Sequence, residues 1–266
     1  MNNINPEQKV IVSLTSYPPA IGFVVETVKS ILNGSILPDR LILYVTLSEF
    51  EGKPLPQELI QLTKENEIFE IHDYPRNIRS YRKLYPALLE FPDDIIITVD
   101  DDVRYHRNML RDLLQLHKEF PKSVIAHRAK RIDLTRPYKK WHKYRWYDFV
   151  LRKDYSGFNN LPTGVAGVLY PPHALDESML NEDLFIEIAP TTDDIWFWAA
   201  AVSNSTPILP VPFGKNKPKG LGKPKEISLK TYNFKSGHDR NFEAMTSILS
   251  RYPDIKNKLE TSLKKS

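Results

Sequence analysis

The chain has 266 residues, of which 41% are hydrophobic and 26% charged, as is typical of a globular protein with room for one large α/β domain. Its formal charge of +4 favours an anionic ligand slightly but does not indicate a nucleic-acid-binding protein, and the absence of cysteine excludes disulfides and thiolate metal sites. Residues 1–9 are polar and no apolar run approaches the ~20 residues of a membrane helix, so we expect a cytoplasmic protein that could still dock on a membrane from the inside.

The first third of the chain alternates apolar segments of two kinds. β-branched runs predict strands, and the predicted strands are Val10–Leu14, Leu41–Leu47 and Ile68–Ile71. Between the first two, apolar residues recur at helical spacing from Ile21 to Leu32, and Asn33-Gly34 indicates where that helix ends. Strands that alternate with helices predict a largely parallel sheet with crossover helices, which binds ligands at its carboxyl edge.

The loop after the first predicted strand contains Thr15, Ser16 and Tyr17, and it should border that ligand-binding edge. Tyr17 could stack on a nucleotide base, but a tyrosine beside Pro18 and Pro19 is also common in ordinary loop packing. The chain contains neither G-x-G-x-x-G nor G-x-x-x-x-G-K-[ST], so dinucleotide-fingerprint and P-loop chemistry lose their main support.

Basic side chains cluster between Asp73 and Leu89, just before the next predicted strand. They are Arg76, Arg79, Arg82 and Lys83. Together they could neutralise a nucleotide diphosphate, although each one alone could equally belong to a solvated basic face.

An apolar, β-branched run from Ile95 to Val99 predicts a buried central strand, and three acids follow it: Asp100, Asp101 and Asp102. If the extended geometry persists, Asp100 and Asp102 face one side and Asp101 the other. Because burying an unpaired carboxylate costs several kcal/mol, we expect a cation there, and carboxylate oxygens suit Mg²⁺ or Mn²⁺ carrying a substrate diphosphate. Solvated loop acids, or caps of the following helix, are the alternative.

Basic and aromatic residues interleave from Arg136 to Tyr155. Such a stretch could stack on sugar or base faces, contact an anionic membrane surface, or bind single-stranded nucleic acid. It could also be an excursion whose aromatic residues simply pack on the domain.

A second possible site follows in the carboxyl-terminal half. Thr163–Tyr170 has strand character, and Gly164 and Gly167 either allow a ligand close to the backbone or mark a bulge. Further on, Thr192 can cap a helix whose first turn holds Asp193 and Asp194, and one of these acids could act as a general base. Ordinary helices also begin with such acids, because the helix dipole favours them.

The last segments offer weaker signals. The Lys-, Gly- and Pro-rich loop Gly214–Lys225 could close over a diphosphate as a lid or be a surface loop without a role. His238, before a predicted terminal helix, could ligate a metal or lie unused on the surface. From Lys256 onward we expect a frayed tail.

Taken together, these motifs resemble a bacterial GT-A glycosyltransferase of the family 2 type, which includes enzymes of capsule and lipopolysaccharide assembly. The resemblance runs from Val10 to His238. Asp100-Asp101-Asp102 matches a D-x-D motif, and Thr192-Asp193-Asp194 resembles T-E-D with Asp193 in place of glutamate. The second predicted strand ends at Leu47-Ser48 without the usual acid, so Asp73 is expected to take part of its nucleotide-binding role.

The resemblance implies a single-domain, Rossmann-like α/β fold with a mixed, mostly parallel sheet. The domain would span residues 1–255, with a nucleotide-binding half at about 8–130, an acceptor-binding half at about 131–255 and the tail at 256–266. The implied ligands are Mn²⁺ or Mg²⁺ and a nucleotide sugar, with a UDP-sugar expected, and the partner is a glycan or lipid-linked glycan acceptor. A protein of this kind could associate peripherally with the inner membrane, and we expect no nucleic-acid partner.

The expected site residues follow from the motifs and the resemblance. The residues expected to bind the nucleotide sugar are Thr15, Tyr17, Asp73, Arg79, Lys83, Asp100, Asp101 and Gly167. The expected metal ligands are Asp100, Asp102 and His238. The expected catalytic residues are Asp194, as the base of an inverting transfer, and Asp193. Two other functions stay open. One is a nucleotidyltransferase that releases pyrophosphate, and the other is a non-enzymatic protein that binds an anionic polymer or RNA.

Overall fold

One sheet of seven strands organises the part of the chain that the structure describes. The computed structural model describes residues 8–145, 148, 156–211, 217–224, 226 and 229–264. Numbered along the chain, the strands are β1 (Val10–Thr15), β2 (Arg40–Val45), β3 (Phe69–Asp73), β4 (Ile95–Thr98), β5 (Val103–Arg104), β6 (Val124–Ala126), β7 (Ala129–Arg131), β8 (His142–Lys143), β9 (Asn160–Pro162), β10 (Val168–Tyr170), β11 (Ile208–Pro210) and β12 (Lys219–Gly220). The large sheet has the order β11-β6-β10-β4-β1-β2-β3, and only β10 runs antiparallel to its neighbours among these described strands. The predicted mixed, mostly parallel sheet is confirmed.

Helices cover both faces of this sheet. They are α1 (Ile21–Leu32), α2 (Gln57–Glu65), α3 (Tyr85–Glu90), α4 (Met109–Glu119), α5 (Glu182–Ile188), α6 (Asp193–Ser203), α7 (Leu229–Asn233), α8 (Arg240–Arg251) and α9 (Pro253–Lys264). Along β4, Ile96 faces the core that contains α6, whereas Ile95 and Ile97 face the core that contains α1 and α4. Each buried isoleucine contributes roughly 1.5–3 kcal/mol, so packing from both sides explains why the central strand is apolar throughout.

The segment Thr163–Tyr170, predicted as one strand, divides into a turn and a strand. A 3₁₀ turn spans Gly164–Ala166, and β10 begins only at Val168. Between them, Gly167 has φ +98°, a conformation that L side chains rarely adopt. The glycine therefore turns the chain into β10 and leaves the preceding turn free to lie at the carboxyl edge of the sheet.

Two smaller ladders extend from this edge. A three-stranded sheet has the order β8-β7-β9, with Ala129 opposite Pro162. A separate pair joins β12 to β5, with Lys219 opposite Arg104. The second ladder ties part of the predicted lysine-rich loop to the turn that follows the three aspartates.

The prediction of a frayed tail from Lys256 onward is wrong for the residues described there. Helix α9 continues to Lys264, and its Ile255 and Leu259 are buried in the same core as α6. Lys258 donates hydrogen bonds from Nζ to the carbonyl oxygens of Val202 and Ser203, at the carboxyl end of α6. Such contacts satisfy carbonyl groups that the last helical turn leaves without partners.

In the described residues, no helix combines the length and apolar character needed to span a membrane.

Candidate active site

The three aspartates lie in the turn after β4, where they face two different lysines. Asp100 is partly exposed and pairs with Lys83, whereas Asp101 is buried and pairs with Lys223. The strand ends at Thr98, so the chain turns before the alternation of an extended strand could continue through Asp102. The sequence predicted a cation beside the three aspartates, and in the structure Lys83 and Lys223 provide positive charge there.

Lys83 lies at the centre of the first cluster. Its Nζ atom is 3.2 Å from Asp100 Oδ1 and 3.0 Å from Asp193 Oδ2. Its carbonyl oxygen accepts a 2.6 Å hydrogen bond from Ser13 Oγ in β1, which fixes the lysine backbone against the sheet. Burial alone would lower the pKa of Lys83, but the carboxylates of Asp100, Asp193 and Asp194 raise it well above its ordinary value. The lysine is therefore a permanent cation between the two acidic motifs.

Gly164 lets these groups meet. Its backbone N–H donates a 3.1 Å hydrogen bond to Asp194 Oδ1. A Cβ atom at this position would lie 2.6 Å from Lys83 Nζ, 3.2 Å from Asp100 Oδ1 and 3.4 Å from Asp194 Oδ1. The D-x-D motif and the acid pair of α6 therefore border one point, and a side chain at residue 164 would collide with the lysine between them.

The acids at the start of α6 have different surroundings. Asp193 is buried, accepts a 2.7 Å hydrogen bond from Ser80 Oγ and holds Lys83. The pKa of Asp194 is raised to about 7, chiefly by burial and also by the charges of Asp193 and Asp100, while Lys83 opposes the increase. A carboxylate with that pKa can accept a proton near neutral pH, so Asp194 fits the role of base and Asp193 that of a residue that positions Lys83.

Tyr105 connects Asp100 to the turn at Gly164. The backbone N–H of Asp100 donates a 2.8 Å hydrogen bond to the Tyr105 hydroxyl, which in turn donates to the carbonyl oxygen of Val165 at 3.3 Å. Burial raises the pKa of Tyr105 well above its usual value, so the hydroxyl stays protonated. This side chain therefore fixes the start of the aspartate turn.

The second cluster is built on Asp101. Ser16 Oγ donates a 2.6 Å hydrogen bond to Asp101 Oδ2, and Lys223 Nζ donates a 2.9 Å bond to Oδ1. Lys223 also lies 3.6 Å from Asp102 Oδ2 and 5.5 Å from the ring centroid of Tyr17. The loop that carries it is held by β12 and by a hydrogen bond from Leu221 N–H to the Asp102 carbonyl. Tyr17 thus lies beside the aspartates, as its position after β1 predicted.

The donor atoms suit a divalent metal, but they are not assembled into a complete cage. Asp100 and Asp102 are 29% and 26% exposed, and their hard oxygens match Mg²⁺ or Mn²⁺, whereas Asp101 is 8% exposed and already bonded. His238 is exposed, and its Nδ1 lies 2.9 Å from Glu243 Oε1. Within the described residues, no group of three or more histidine, aspartate or glutamate side chains has metal-binding geometry.

Comparison with known proteins gives a fold and no sequence family. No protein-family model and no curated protein matches the chain. Among solved structures, the mannosyltransferase PcManGT from Pyrobaculum calidifontis, in complex with GDP-Man and Mn²⁺, aligns over 99% of this chain and 82% of its own, with a TM-score of 0.53 and 11% identity. The chain has the GT-A fold.

Two further solved structures are similar to smaller extents. S. aureus TarS 1–349 aligns over 92% of this chain and 71% of its own, with 12% identity and a TM-score of 0.49. Glucosyl-3-phosphoglycerate synthase from Mycobacterium tuberculosis, in complex with Mn²⁺ and UDP, aligns over 45% of this chain and 43% of its own, with 15% identity and a TM-score of 0.34. The chain therefore spans less than half the length of the mycobacterial enzyme.

At the carboxyl edge of this GT-A fold, Arg82 braces the loops that follow β1 and β2. The side chain is buried and donates hydrogen bonds to Thr15 Oγ1 at 2.8 Å, to the Ser16 carbonyl at 2.7 Å and to Thr46 Oγ1. It also pairs with Glu49 Oε2 at 2.7 Å. Because β2 ends at Val45, the 3₁₀ turn Leu47–Phe50 carries Glu49 to the edge where the second predicted strand seemed to lack an acid.

The other predicted nucleotide-binding residues have different surroundings. Asp73 Oδ1 accepts a 2.8 Å hydrogen bond from the backbone of Leu47, while Arg79 is exposed with φ +55°. A Cβ on Gly167 would lie 3.1 Å from the sulfur of Met109, in the packing against α4. For Asp73, Arg79 and Gly167, nucleotide binding stays a prediction.

Three residues of the site were not singled out by the sequence, and each for a different reason. Arg82 was one of four basic candidates, and nothing local distinguishes a buried guanidinium from an exposed one. Lys223 belongs to a loop with several lysines, and Tyr105 follows the aspartates without any motif of its own. The one available signal was that Arg82 directly precedes Lys83, which was predicted to bind the nucleotide sugar.

The described part of the basic and aromatic stretch packs on the domain. The backbone N–H of Tyr138 donates a 3.0 Å hydrogen bond to Asp239 Oδ2. Burial raises the pKa of Tyr138, and the negative charge of Asp194 raises it further. Trp141 is buried and donates from Nε1 to the Arg136 carbonyl at 2.9 Å, as the packing alternative expected. Residues 146, 147 and 149–155 of this stretch lie outside the described residues. Trp196 and Trp198, which follow the two acids in α6, are wholly buried core residues.

Proposed function

We propose that the protein is a metal-dependent glycosyltransferase that transfers a sugar from a nucleotide sugar to a hydroxyl group of a glycan or lipid-linked glycan, with inversion at the anomeric carbon. One observation carries the proposal: carboxylates of the strand-end motif and of α6 lie on two sides of Gly164, within 3.4 Å of its Cβ position. The GT-A fold supports it, and the aligned mannosyltransferase from P. calidifontis binds GDP-Man and Mn²⁺. A UDP-sugar donor and an acceptor of capsule or lipopolysaccharide assembly belong to the same proposal.

In the proposed reaction, Asp194 accepts the proton of the acceptor hydroxyl. The acceptor oxygen forms a bond to the anomeric carbon while the bond from that carbon to the diphosphate oxygen breaks, and its electron pair leaves with the nucleoside diphosphate. The hydrogen bond from Gly164 N–H fixes one carboxylate oxygen of Asp194, so the acceptor proton would go to the other. General-base catalysis of this kind contributes ~10²–10⁴-fold to the rate.

On the donor side, Asp100 and Asp102 are the residues that would hold the metal. Mg²⁺ or Mn²⁺ bound there would supply a positive charge to the diphosphate leaving group. Lys83, fixed by Asp193, lies between this position and Asp194, and keeps a cation at the point where negative charge develops. Tyr17, whose ring centroid lies 5.5 Å from Lys223 Nζ, would stack on the base, and Arg82 would keep the loops of Thr15 and Thr46 together.

A nucleotide screen tests the proposal. Thermal shift is measured with nucleoside diphosphates and nucleotide sugars, each with Mn²⁺, with Mg²⁺ or with a chelator. We expect stabilisation that needs both nucleotide and metal, followed by release of nucleoside diphosphate when a glycan acceptor is added. Release of pyrophosphate from a nucleoside triphosphate and a sugar phosphate would instead indicate a nucleotidyltransferase, and the absence of any nucleotide-dependent shift would contradict both.

A further inference from the structure

Positive charge is concentrated in one segment of the chain. Residues 128–145 contain eight lysine and arginine residues and one aspartate, a formal charge of +7, while the whole chain carries +4. The other residues together therefore carry −3. We call this segment the basic strip; its cationic members are Arg128, Lys130, Arg131, Arg136, Lys139, Lys140, Lys143 and Arg145.

The first residue of the basic strip, Arg128, is bonded to the turn that also bonds the proposed base, Asp194. Thr163 donates hydrogen bonds to the Arg128 carbonyl from its backbone N–H at 2.9 Å and from its hydroxyl at 3.2 Å. The next residue, Gly164, donates to Asp194 Oδ1 at 3.1 Å. Because β7 follows Arg128 directly and pairs with β9, the sheet that carries the strip leads away from Asp194. A molecule that presents a hydroxyl to Asp194 would extend along the basic strip.

The small sheet places basic side chains opposite each other. Lys130 of β7 lies directly opposite Lys143 of β8, and Arg131 lies opposite His142. Like charges at directly opposite positions destabilise a strand pair. Tyr138 offsets part of this cost, since Lys130 Nζ donates to its carbonyl at 2.6 Å and lies 3.4 Å from its ring centroid.

Aromatic rings accompany the charges on this side. The ring centroid of Tyr138 is 6.2 Å from that of Phe234. Lys139 Nζ lies 4.1 Å from the centroid of Phe234, and the guanidinium of Arg240 lies 4.6 Å from that of Tyr232. Aromatic rings can stack on the faces of sugars, and the neighbouring cations can bind negative groups, so this side suits a ligand that has both.

We propose that the acceptor is an anionic glycan, whose carboxylate or phosphate groups bind the basic strip while its hydroxyl meets Asp194. The inference rests on the proposed glycosyl transfer and names the class of its acceptor. Arg128 of the strip is bonded to Thr163, and the next residue, Gly164, is bonded to Asp194, which distinguishes an acceptor site from a surface that binds polyanions elsewhere on the molecule. A nucleic acid has no need of a proton acceptor at that point.

Binding of fluorescent oligosaccharides by the full chain tests this. The probes are an oligogalacturonate for carboxylates, a polyol-phosphate oligomer for phosphates, and a dextran oligomer of similar length as the neutral reference. The test variant is Lys139→Gln with Lys140→Gln, two exposed lysines of the strip. The matched control is Lys118→Gln with Lys122→Gln, two exposed lysines near the opposite end of β6 from Arg128.

We expect at least one anionic probe to bind more tightly than dextran, and the strip variant to weaken it by about tenfold while the control changes it less than about twofold. The better of the two anionic probes identifies the chemical group. Equal affinity for dextran, or equal losses in strip and control variants, would overturn the proposal. So would a single-stranded RNA oligomer that binds more tightly than either glycan and displaces it.

The nucleotide-dependent thermal shift is measured on the same proteins. It involves the sheet edge around Asp100 and not the strip, so we expect it to be unchanged in the strip variant. If the shift is present and the charge preference is missing, this inference fails and the proposed transfer survives. If the charge preference is present and no nucleotide binds, the proposed transfer fails and, with it, the assignment of the bound glycan as acceptor.

Discussion

Two lysine–aspartate clusters lie at the carboxyl edge of the same sheet, and they are held in different ways. Lys83 belongs to a 3₁₀ turn packed in the core and joins Asp100 to Asp193. Lys223 comes from a loop held by a two-residue ladder, and it joins Asp101 to Asp102. The same pair of side-chain types is thus fixed by the fold in one cluster and supplied by a loop in the other.

The comparison shows which interactions are organised before a ligand arrives. Lys83 is buried by residues from β1, β4, α6 and the Gly164 turn, so no neighbouring group can leave without disturbing the core. The loop of Lys223 is held by a two-residue ladder and one backbone hydrogen bond to Asp102, so we expect it to be displaced when a metal ion with its diphosphate takes over the charge of Asp102. We therefore expect substitutions in the Lys83 cluster to affect both stability and catalysis, and those in the Lys223 cluster to affect ligand exchange.

The largest expected effect comes from removing the proposed base in the fixed cluster. Asp194→Asn should lower the transfer rate by ~10²–10⁴-fold, because the amide cannot accept the acceptor proton. Donor binding should hardly change, as calorimetry with a nucleoside diphosphate and Mn²⁺ can show. A transfer rate within twofold of wild type would rule out Asp194 as the base.

Replacing the two lysines tests the comparison directly. Lys83→Met should lower the free energy of unfolding by about 3 kcal/mol, because it leaves the buried carboxylate of Asp193 without its cation. We expect the matched change Lys223→Met to cost less, because its loop is held by a two-residue ladder and should rearrange more easily than the turn that carries Lys83. Urea unfolding measures both. Equal losses would show that the two clusters are held alike.

Filling the space at Gly164 should disturb the fixed cluster without removing a charge. Gly164→Ala introduces a Cβ 2.6 Å from Lys83 Nζ, so the lysine must shift away from Asp100. We expect kcat to fall by about tenfold or more, since small displacements at a reacting centre are costly. Gly22→Ala is the control, because nothing lies within 4 Å of its new Cβ. A normal kcat in the Gly164 variant would mean that the close approach is unnecessary.

Because the pKa of Asp194 is about 7, a rise in pH should increase the activity and decrease the stability of the protein. As a base, Asp194 must be ionised, so the rate at pH 6 should be about a tenth of the rate at pH 8. The raised folded-state pKa stabilises the protein fully below the unfolded-state pKa of about 4, and this contribution is lost as the pH rises to about 7.

Thermal unfolding of Asp194→Asn tests the predicted loss of stability as the pH rises. The variant has no carboxylate to ionise at residue 194, so its Tm should exceed that of wild type at pH 8 and the difference should shrink towards pH 4. A difference that does not depend on pH would show that the ionised form of Asp194 carries no cost.

The smallest effect is expected at the exchangeable cluster. Lys223→Met removes the cation nearest Asp102, so Mn²⁺ should bind about threefold to tenfold more tightly in the absence of nucleotide. Calorimetry with Mn²⁺ alone measures this. Weaker binding in the variant would indicate that Lys223 helps to hold the loop in a metal-binding arrangement and does not compete with the ion.

Local sequence was sufficient for the frame of the molecule. The β-branched run before Asp100 can only be a buried strand, and apolar residues at helical spacing from Ile21 to Leu32 can bury only one face. The alternation of such segments limits the fold to a largely parallel sheet, whose carboxyl edge receives both acidic motifs. These inferences hold because hydrophobic periodicity is a property of neighbouring residues.

The arrangement within the site depended on tertiary structure. Lys83 and Asp193 are far apart in the chain, as are Lys223 and Asp101, and only the order of strands brings each pair together. The same holds for α9, whose few apolar residues suggested a tail until the core beside α6 gave Ile255 and Leu259 a surface to cover. The charge of each side chain and the hydrophobic periodicity of each segment can be read from neighbouring residues. The pairing of each lysine with its aspartate depends on how the whole chain packs.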